Sequence, residues 1–400
     1  MIPHVLVINC GSSSIKLALI EPDGGESPWQ ALAERLGTGD ARVVLKPAGE
    51  AQRTVALPNA DHVAALDRAL RALPPLPVAA VGHRVVHGGE RFADSVVLDA
   101  ESIAAIEACS DLAPLHNPAN LAGIREAMRL RPDLGQVAVF DTAFHQTMPD
   151  RAFMYGLPRA LYDRHKVRKY GFHGTSHRYV AERAAELIGR PLDTLHLVTA
   201  HLGNGASATA IANGRSVDTT MGFTPLEGLV MGTRSGDVDP GLHEFLIERA
   251  GMTIDGVGEM LNKESGLLGL SGESNDMRNL LELEAKGHAR AKLAIDVFCY
   301  RLAKAILGLS AALPQLDAIV FTGGIGENSA DVRGRTAQSL AVLGVRIDRS
   351  VNAEHGKHTR GVVSDASSRV RLMVVPTNEE LVIAREATRL VKPALVPASS

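Results

Sequence analysis

The sequence predicts an α/β protein in which one domain plan occurs twice, with a cleft between the copies. Three observations point there. Val5-Leu6-Val7-Ile8 is a short β-branched and aliphatic run, followed by the polar turn Asn9-Cys10-Gly11-Ser12-Ser13-Ser14 and a second apolar run, Ile15 to Ile20, which together read as strand, turn, strand. The same plan returns at Leu195 to Ala200, His201-Leu202-Gly203-Asn204-Gly205 and Ala206 to Ile211, and Gly11 and Gly203 lie 192 residues apart, close to half the chain. Finally, Ala318-Ile319-Val320-Phe321-Thr322 reads as a buried strand after a helical stretch at about 291–313, and it runs into Gly323-Gly324-Ile325-Gly326-Glu327-Asn328 and a helix-compatible segment. A glycine turn between strand and helix is a common anion or nucleotide site, because unpaired N–H groups point outward there, although such turns also merely connect elements.

Length and composition narrow the class. A chain of 400 residues suits two or three domains, each able to bury its own core. The net charge of −3 leaves no basic excess for nucleic acid or an anionic membrane, and 4% aromatic residues make stacking platforms for bases improbable. The longest stretch without Asp, Glu, Lys or Arg, 194–214, carries two His, two Asn and three Gly, so hydrocarbon would reject it. Cys10, Cys109 and Cys299 form no CxxC and include an odd one, which fits buried thiols in a reducing compartment. The N-terminus lacks a basic n-region, so a soluble cytoplasmic protein is expected. Glycine stands out: there are 38, above the usual share of roughly 7%, and 14 of them fall in 203–272 without a short repeat. Tight turns or close backbone approach to a ligand remain as explanations. Residues 21–60 and the stiff connector 73–77 read as surface variation, and the tail from Lys392 to Ser400 reads as frayed.

No GxxxxGK[ST], GxGxxG, HRD, DFG or HExxH motif occurs, which disfavours phosphate-loop NTPases, protein kinases, dinucleotide enzymes and zinc proteases. Short polar segments after apolar runs are present instead. Asn9, Ser12, Ser14 and Lys16 offer amide, hydroxyl and ammonium donors to phosphate oxygens, or else form a plain serine-rich turn. His83-Arg84-Val85-Val86-His87-Gly88-Gly89 sets an arginine between histidines, in a site or on solvated surface. Asp141 ends the strand run Ala138 to Phe140, where it can meet a metal or substrate or cap a helix. His173 is bracketed by glycines before a helical stretch that Thr175 or Ser176 could cap. Gly232-Thr233-Arg234-Ser235-Gly236-Asp237 isolates an arginine on a glycine loop. Thr377-Asn378-Glu379-Glu380 follows a strand run, Leu372 to Val375, and reads as a helix start with acids favoured by the dipole. Arginines, a lysine, a histidine, a strand-end carboxylate and hydroxyl-rich turns, without a covalent-catalysis triad, suit phosphoryl transfer, where the catalyst positions reactants and neutralises charge.

Around these residues the segments NCGSSSIK, GHRVVHGG, DLAPLHNP, FDTAFHQTMP, KYGFHGTSH, HLGNGASATAIANGRSVDTTMGFTPLEGLVMGTRSGDVDPG, SGLLGLSG, NDMR, FTGGIGENS and PTNEEL run in order from Val5 to about Leu390. They resemble the acetokinase family, within the acetate and sugar kinase, heat-shock chaperone ATPase and actin superfamily. The resemblance implies a duplicated ribonuclease-H-like (actin-like ATPase) fold with an interdomain cleft. The expected domains are 1–145 plus 380–400, and a nucleotide-binding domain at 146–379. The implied activity is reversible, Mg²⁺-dependent, direct in-line transfer of the γ-phosphoryl group of ATP to acetate, giving acetyl phosphate and ADP; a propionate kinase with the same mechanism is the alternative. By resemblance Asn9 and Glu379 would hold Mg²⁺, for which Mn²⁺ could substitute. His201, Leu202, Gly203, Asn204 and Gly205 would meet the ATP phosphates, together with Lys16, Ser12 and Ser14. Asp276, Met277, Arg278, Gly324, Ile325, Gly326, Glu327 and Asn328 would surround the adenosine. Arg84 would bind the acyl substrate, and Arg84, Arg234 and His173 would face the phosphoryl group. Val86, Leu115, Phe172 and Pro225 would form the apolar pocket, and a homodimer is implied.

The family assigns Asp141 as the active-site acid. Acetate is already an anion at neutral pH, so no base is needed to create the nucleophile, and Asp141 is expected instead to orient an arginine or a metal-bound water. An actin-like or chaperone-like ATPase is the rival from another class; it needs no second anion site. A carbohydrate kinase would want more aromatic surface for a sugar face. Closure of the two halves around nucleotide is a further expectation.

Overall fold

The computed structural model describes residues 3–114 and 116–391. The chain divides into two compact units, one running to Phe144 and resuming at Asn378, the other spanning His145–Thr377. The first holds β1 (His4–Cys10), β2 (Ser14–Ile20), β3 (Trp29–Glu34), β4 (Arg42–Pro47), β5 (Arg53–Ala56), β6 (Val78–Val85), β7 (Val96–Val97) and β8 (Gly135–Phe140), in the sheet order β5-β4-β3-β2-β1-β6-β8-β7. The second holds β9 (His196–Leu202), β10 (Ala206–Ala212), β11 (Arg215–Thr219), β12 (Ala318–Thr322) and β13 (Arg371–Val374), in the order β11-β10-β9-β12-β13.

The two orders are the same plan. In each, a central strand pairs antiparallel with the next, which pairs antiparallel with a third in a meander, and pairs parallel with a strand on its other side, which pairs parallel with a last one. The strands β3-β2-β1-β6-β8 thus recur as β11-β10-β9-β12-β13, the duplicated ribonuclease-H-like arrangement. Central parallel strands are covered on both faces, which explains the unbroken apolar runs of β1 and β12. Each sheet carries a covering helix: Gly174–Ile188 packs on β9 and β12, and Glu379–Leu390 packs on β1, β6 and β8.

Both hairpins are tighter than expected. Asn9 pairs with Lys16 and Cys10 with Ile15, so the first turn is only residues 11–13, and His201 and Leu202 belong to β9, so the second is only 203–205. Residues 21–60 are a larger correction, because β3, β4 and β5 extend the sheet there. Trp29, Ala31 and Ala33 alternate with more exposed neighbours, and Trp29, Val43 and Leu45 join Leu6, Ile8, Ile15, Leu17 and Leu66 in one core. The strands are four to six residues long and separated by Pro- and Gly-rich turns, so the alternation has little length in which to show. The helix expected at 291–313 is Ala289–Ser310; the His288 side chain accepts from the Ala291 N–H at its start, and Pro314 lies just beyond its end. The Gly174–Ile188 helix is entered through His173 in the left-handed region (φ 57°), so Thr175 and Ser176 lie inside the first turn and do not cap it.

All three cysteines are free and buried, and burial pushes the Cys10 and Cys299 thiols up to about 12, which leaves them unreactive. No helix among the described residues is long and apolar enough to cross a membrane. The Lys392–Ser400 tail lies outside the described residues.

Gly82, in β6, lies directly under the Glu379–Leu390 helix: a Cβ there would stand 2.5 Å from Ile383 Cγ2 and 3.3 Å from its carbonyl oxygen. Gly82→Ala should destabilise the protein by about 1–3 kcal/mol through overpacking. A urea midpoint unchanged from the wild type would show that the helix moves away at no cost.

Candidate active site

Three neighbouring parallel strands end with polar side chains on one edge of the first sheet. Asn9 lies near the end of β1, Arg84 near the end of β6, and Asp141 just past β8, where its amide still bonds Val85 O at 3.0 Å. The carboxyl ends of strands are where open α/β sheets collect ligands. Asp141 is 1% exposed and gives both oxygens to the Arg84 fork, Nε at 3.0 Å to Oδ1 and Nη2 to Oδ2, while Nη1 reaches Asn9 Oδ1 at 3.3 Å. Asp141 is therefore not a helix cap, and the 83–89 segment is not solvated surface, since His83 and His87 are buried.

Burial pushes the Asp141 carboxyl up to about 6; the nearby Glu379 charge adds to this and Arg84 works against it. Burial works to lower the Arg84 pKa, yet the charges of Asp141 and Glu379 hold it above its ordinary value. Glu379 opens the helix that covers these strands, with Asn378 accepting from the Leu381 N–H at 2.9 Å as its cap. Thr377-Asn378-Glu379-Glu380 is thus a helix start that also delivers an acid to the strand edge. Asn9 and Glu379 offer two hard oxygen donors, a set that fits Mg²⁺ retaining several waters. Lys16 lies opposite Asn9 on the hairpin with its side chain exposed; Ser12 is exposed at the tip, and the Ser14 carbonyl accepts from the Gly11 N–H at 2.7 Å. Val86 is buried, its N–H donating to Asn120 Oδ1 at 3.1 Å, and Leu115 lies outside the described residues.

In the second unit, the turn between β9 and β10 is the meeting point. Gly203 N–H donates to Gly205 O at 2.9 Å, and a Cβ on Gly205 would be 3.4 Å from Arg234 Nη1 and 3.5 Å from Nε2 and Cε1 of His173. The Arg234 loop is strapped to this turn by the Gly232 N–H, which donates to Asn204 O at 2.9 Å. Gly266 locks the loop from behind: its φ is +63°, and a Cβ there would meet Met231 O at 2.3 Å. His173 stacks on His201 with centroids 4.3 Å apart. Arg234 donates from Nη1 to Pro225 O at 3.1 Å, and no carboxylate among the described residues pairs with it. Burial alone pushes its pKa below the ordinary value. A guanidinium left desolvated without an anion is a site for one. Phe172 is buried, with its carbonyl accepting from His145 Nε2 at 3.0 Å, and Pro225 is half-buried.

Beside the turn lies a cavity of about 550 Å³, a size suited to a nucleoside. It is lined by Gly203 and Asn204, by Asp276, Met277 and Arg278, and by Gly324, Ile325 and Asn328, all singled out from the sequence. His201, Leu202 and Gly205 adjoin this wall in sequence without lining it, and Gly326 is buried. Glu327 turns inward: its Oε1 accepts from the N–H groups of Gly323 (2.9 Å) and Thr377 (3.1 Å). Its role in the structure is to fix the glycine turn. The wall also includes Asn275, Leu281, Ser329, Ala330 and Asp331, which the sequence reading missed. Leu281 was accessible, since it lies four residues after Met277 on the helix Met277–Ala285 and so shares its face.

A family model, the acetokinase family, matches residues 4–385. An acetate kinase of Deinococcus radiodurans is 55% identical over 390 residues, 96% of this chain and 98% of that protein. One of Stutzerimonas stutzeri is 55% identical over 395 residues, 97% of this chain and 98% of that protein. Among solved structures, a propionate kinase from Francisella tularensis superposes with a TM-score of 0.91 at 44% identity, covering 97% of this chain and 100% of that one. The acetate kinase of Porphyromonas gingivalis gives 0.91 at 43% identity, covering 98% and 100%.

Arg234 yields a prediction whose sign is unusual for a half-buried residue. Without ligand, Arg234→Ala should leave stability unchanged or raised, since it removes a largely desolvated charge that has no carboxylate partner among the described residues. Inorganic phosphate at about 100 times its Kd should stabilise the wild type by roughly 2.7 kcal/mol, and the variant should lose most of that. Equal phosphate-induced shifts in melting temperature for the two proteins would remove Arg234 from the anion site.

Proposed function

The chain belongs to the acetokinase family, and from that premise we propose that it transfers the γ-phosphoryl group of ATP to acetate, reversibly and in line, giving acetyl phosphate and ADP. The observation that carries this reading is Arg234, desolvated, without a counter-anion and set with His173 against the Gly205 turn. That is the arrangement wanted by a phosphoryl group whose charge spreads over its equatorial oxygens in transit.

The residues then take distinct tasks. The cavity walled by Asn204, Met277 and Ile325 takes the adenosine, and the two glycine turns, with Lys16, Ser12 and Ser14 on the first, take phosphate oxygens. Gly326 and Glu327 support the cavity wall from behind. Asn9 and Glu379 would hold Mg²⁺, which supplies positive charge to the phosphates. Arg84, held flat by Asp141, presents its remaining edge to the acetate carboxylate. Two anions about 4 Å apart repel by roughly 4 kcal/mol at an effective dielectric of 20, so Arg84 and Arg234 are needed before the reactants can approach. By the family resemblance, Val86, Phe172, Pro225 and Leu115 would be the apolar residues that take the methyl group.

The Francisella relative favours a second reading, a propionate kinase using the same residues. One methylene is worth about 1–3 kcal/mol of discrimination, so turnover of propionate is expected in either case. A homodimer is proposed as well: Phe245 and Ile254, on adjacent helices Gly241–Ala250 and Ile254–Glu259, stay largely exposed. The three free thiols suit the cytoplasm.

Comparing kcat/KM for acetate, propionate and butyrate, by hydroxamate formation forward and by ATP formation in reverse, decides class and specificity together. Acetate should lead, and ATP hydrolysis indifferent to every acid would defeat the kinase reading. Arg84→Ala should lower kcat by about 100-fold or more, the scale of a lost charge-stabilising donor. Arg84→Lys should not restore it, since an ammonium cannot engage Asp141 and a carboxylate as a planar fork.

A further inference from the structure

Behind His173 lies a run of buried hydroxyls and imidazoles. In the β9–β10 hairpin, Thr199 pairs with Thr209 and His201 with Ser207, so Thr199, His201 and Ser207 look to one face, which the Gly174–Ile188 helix covers. His173 enters that helix and His177 follows one turn later. Thr199 Oγ1 lies 2.7 Å from His177 Nδ1, His177 Nε2 lies 2.7 Å from Ser207 Oγ, and Ser207 Oγ lies 2.9 Å from His173 Nδ1. Thr199, His177 and Ser207 have no solvent exposure.

We propose that Thr199, His177 and Ser207 form a one-way hydrogen-bond relay that sets the tautomer of His173, leaving His173 Nε2–H as the donor on the side of Gly205 and Arg234. The inference rests on the functional reading above for the meaning of that donor, and on hydrogen-bond arithmetic for its direction. Burial, with the neighbouring His145 and His201, holds the His177 pKa well below its ordinary value, so the ring is neutral and carries one N–H. Ser207 has one proton and faces two imidazole nitrogens. Only two concerted arrangements satisfy the run. In the first, Thr199 donates to His177 Nδ1, His177 Nε2–H donates to Ser207, and Ser207 donates to His173 Nδ1, so the proton of the neutral His173 ring sits on Nε2. In the second, every bond is reversed, His173 Nδ1–H donates to Ser207, and Nε2 is bare.

Thr199 decides between them. Among the described residues its side chain makes one hydrogen bond, the one to His177. The reversed arrangement strands its hydroxyl proton in a dry interior with no acceptor, whereas the first arrangement uses every proton in the run. The first also presents to a phosphoryl oxygen a donor where the second presents a lone pair, so stability and chemistry favour the same tautomer. His201 stacked on His173 keeps the ring plane fixed.

The test uses the full-length protein labelled with ¹⁵N-histidine, with His173 signals assigned from a His173→Gln spectrum. Long-range ¹H–¹⁵N correlations should show His173 protonated on Nε2 with Nδ1 as acceptor. Thr199→Val keeps the shape and removes the directing proton; it should admit the Nδ1–H form and lower kcat roughly tenfold or more, the scale of a compromised transition-state donor, with KM for ATP and acetate unchanged. Thr199→Ser should restore both the spectrum and kcat. A wild-type His173 protonated on Nδ1, or a Thr199→Val protein with wild-type spectrum and kcat, overturns the relay. The wild-type spectrum needs only the His173→Gln protein to fold for its assignment, and does not depend on the folding of Thr199→Val. It also stands apart from activity: a protein that phosphorylates no acid, yet shows the Nε2–H tautomer, would refute the kinase reading and leave the relay in place.

Discussion

How the protein accommodates partly and fully buried arginine governs both units. Desolvating a guanidinium is costly unless something replaces water, and three different replacements are used. Arg84 receives a carboxylate, Asp141, in a two-point fork. Arg333 has no exposure and receives only neutral acceptors: Oδ1 and O of Asn352, the carbonyls of Gly326 and Glu327, and His355 Nδ1, with burial bringing its pKa down to about 10. Arg234 receives one carbonyl and a thioether contact. Arg333 is therefore structural, and it clamps the far end of the glycine segment that walls the cavity beside the β9–β10 turn. Arg84 is half-neutralised and oriented. Of these three, Arg234 is the one with no carboxylate partner among the described residues, which is why the proposed function gives it the group in transit.

Duplication supplies the platform for both Arg84 and Arg234. The same five-strand order gives each unit an antiparallel hairpin and a row of parallel strand ends beside it. The copies then diverge in side chains. The first hairpin carries hydroxyls and an exposed lysine, and its strand edge carries the Arg84–Asp141 pair. The second carries glycine, asparagine and histidine, with a long glycine-rich excursion between β11 and β12 that brings Arg234 back to the turn. Eleven of the 14 glycines concentrated at 203–272 lie in that excursion, and Gly203, Gly205 and Gly214 lie in the turns of the β9–β10–β11 meander. At Gly266 backbone approaches backbone too closely for any other residue, and at Gly232 a Cβ would stand 2.2 Å from the side-chain Oδ1 of Asn204. Gly256 and Gly258, by contrast, sit in the Ile254–Glu259 helix without such crowding.

Legibility in the sequence tracked how local the cause was. The hairpins, β12 and the long helix before it could be read because an apolar run and its terminating turn are adjacent in the chain. The strands β3 to β5 could not, because they are stabilised by the edge of a sheet already formed, and their own sequence shows little beyond Trp29 and a few alternating aliphatics. Among site residues, Asp276, Met277, Arg278, Gly324 and Ile325 were named and do line one cavity. The inward turn of Glu327 was invisible, since its partner Thr377 lies 50 residues away. Thr199 and Ser207 attracted no notice for the same reason: in the sequence they are ordinary β-strand residues, and only the His173–His177 spacing on the facing helix gives them work.

Asp141 shows why a perturbed carboxyl is not by itself a base. A general base must present a lone pair to the proton it removes. Both Asp141 oxygens point at Arg84 and the residue has almost no exposure, so in the proposed reaction it has neither access to substrate nor a proton to collect from an acceptor that is already anionic. The elevation to about 6 comes first from burial, with the Glu379 charge adding to it, which is the cost of setting an acid where it can hold an arginine still. Held in this way, Arg84 would, in the proposed reaction, keep its planar edge directed without reorganising as charge shifts between the acyl oxygen and the phosphoryl group, and that fixed orientation is what electrostatic preorganisation requires.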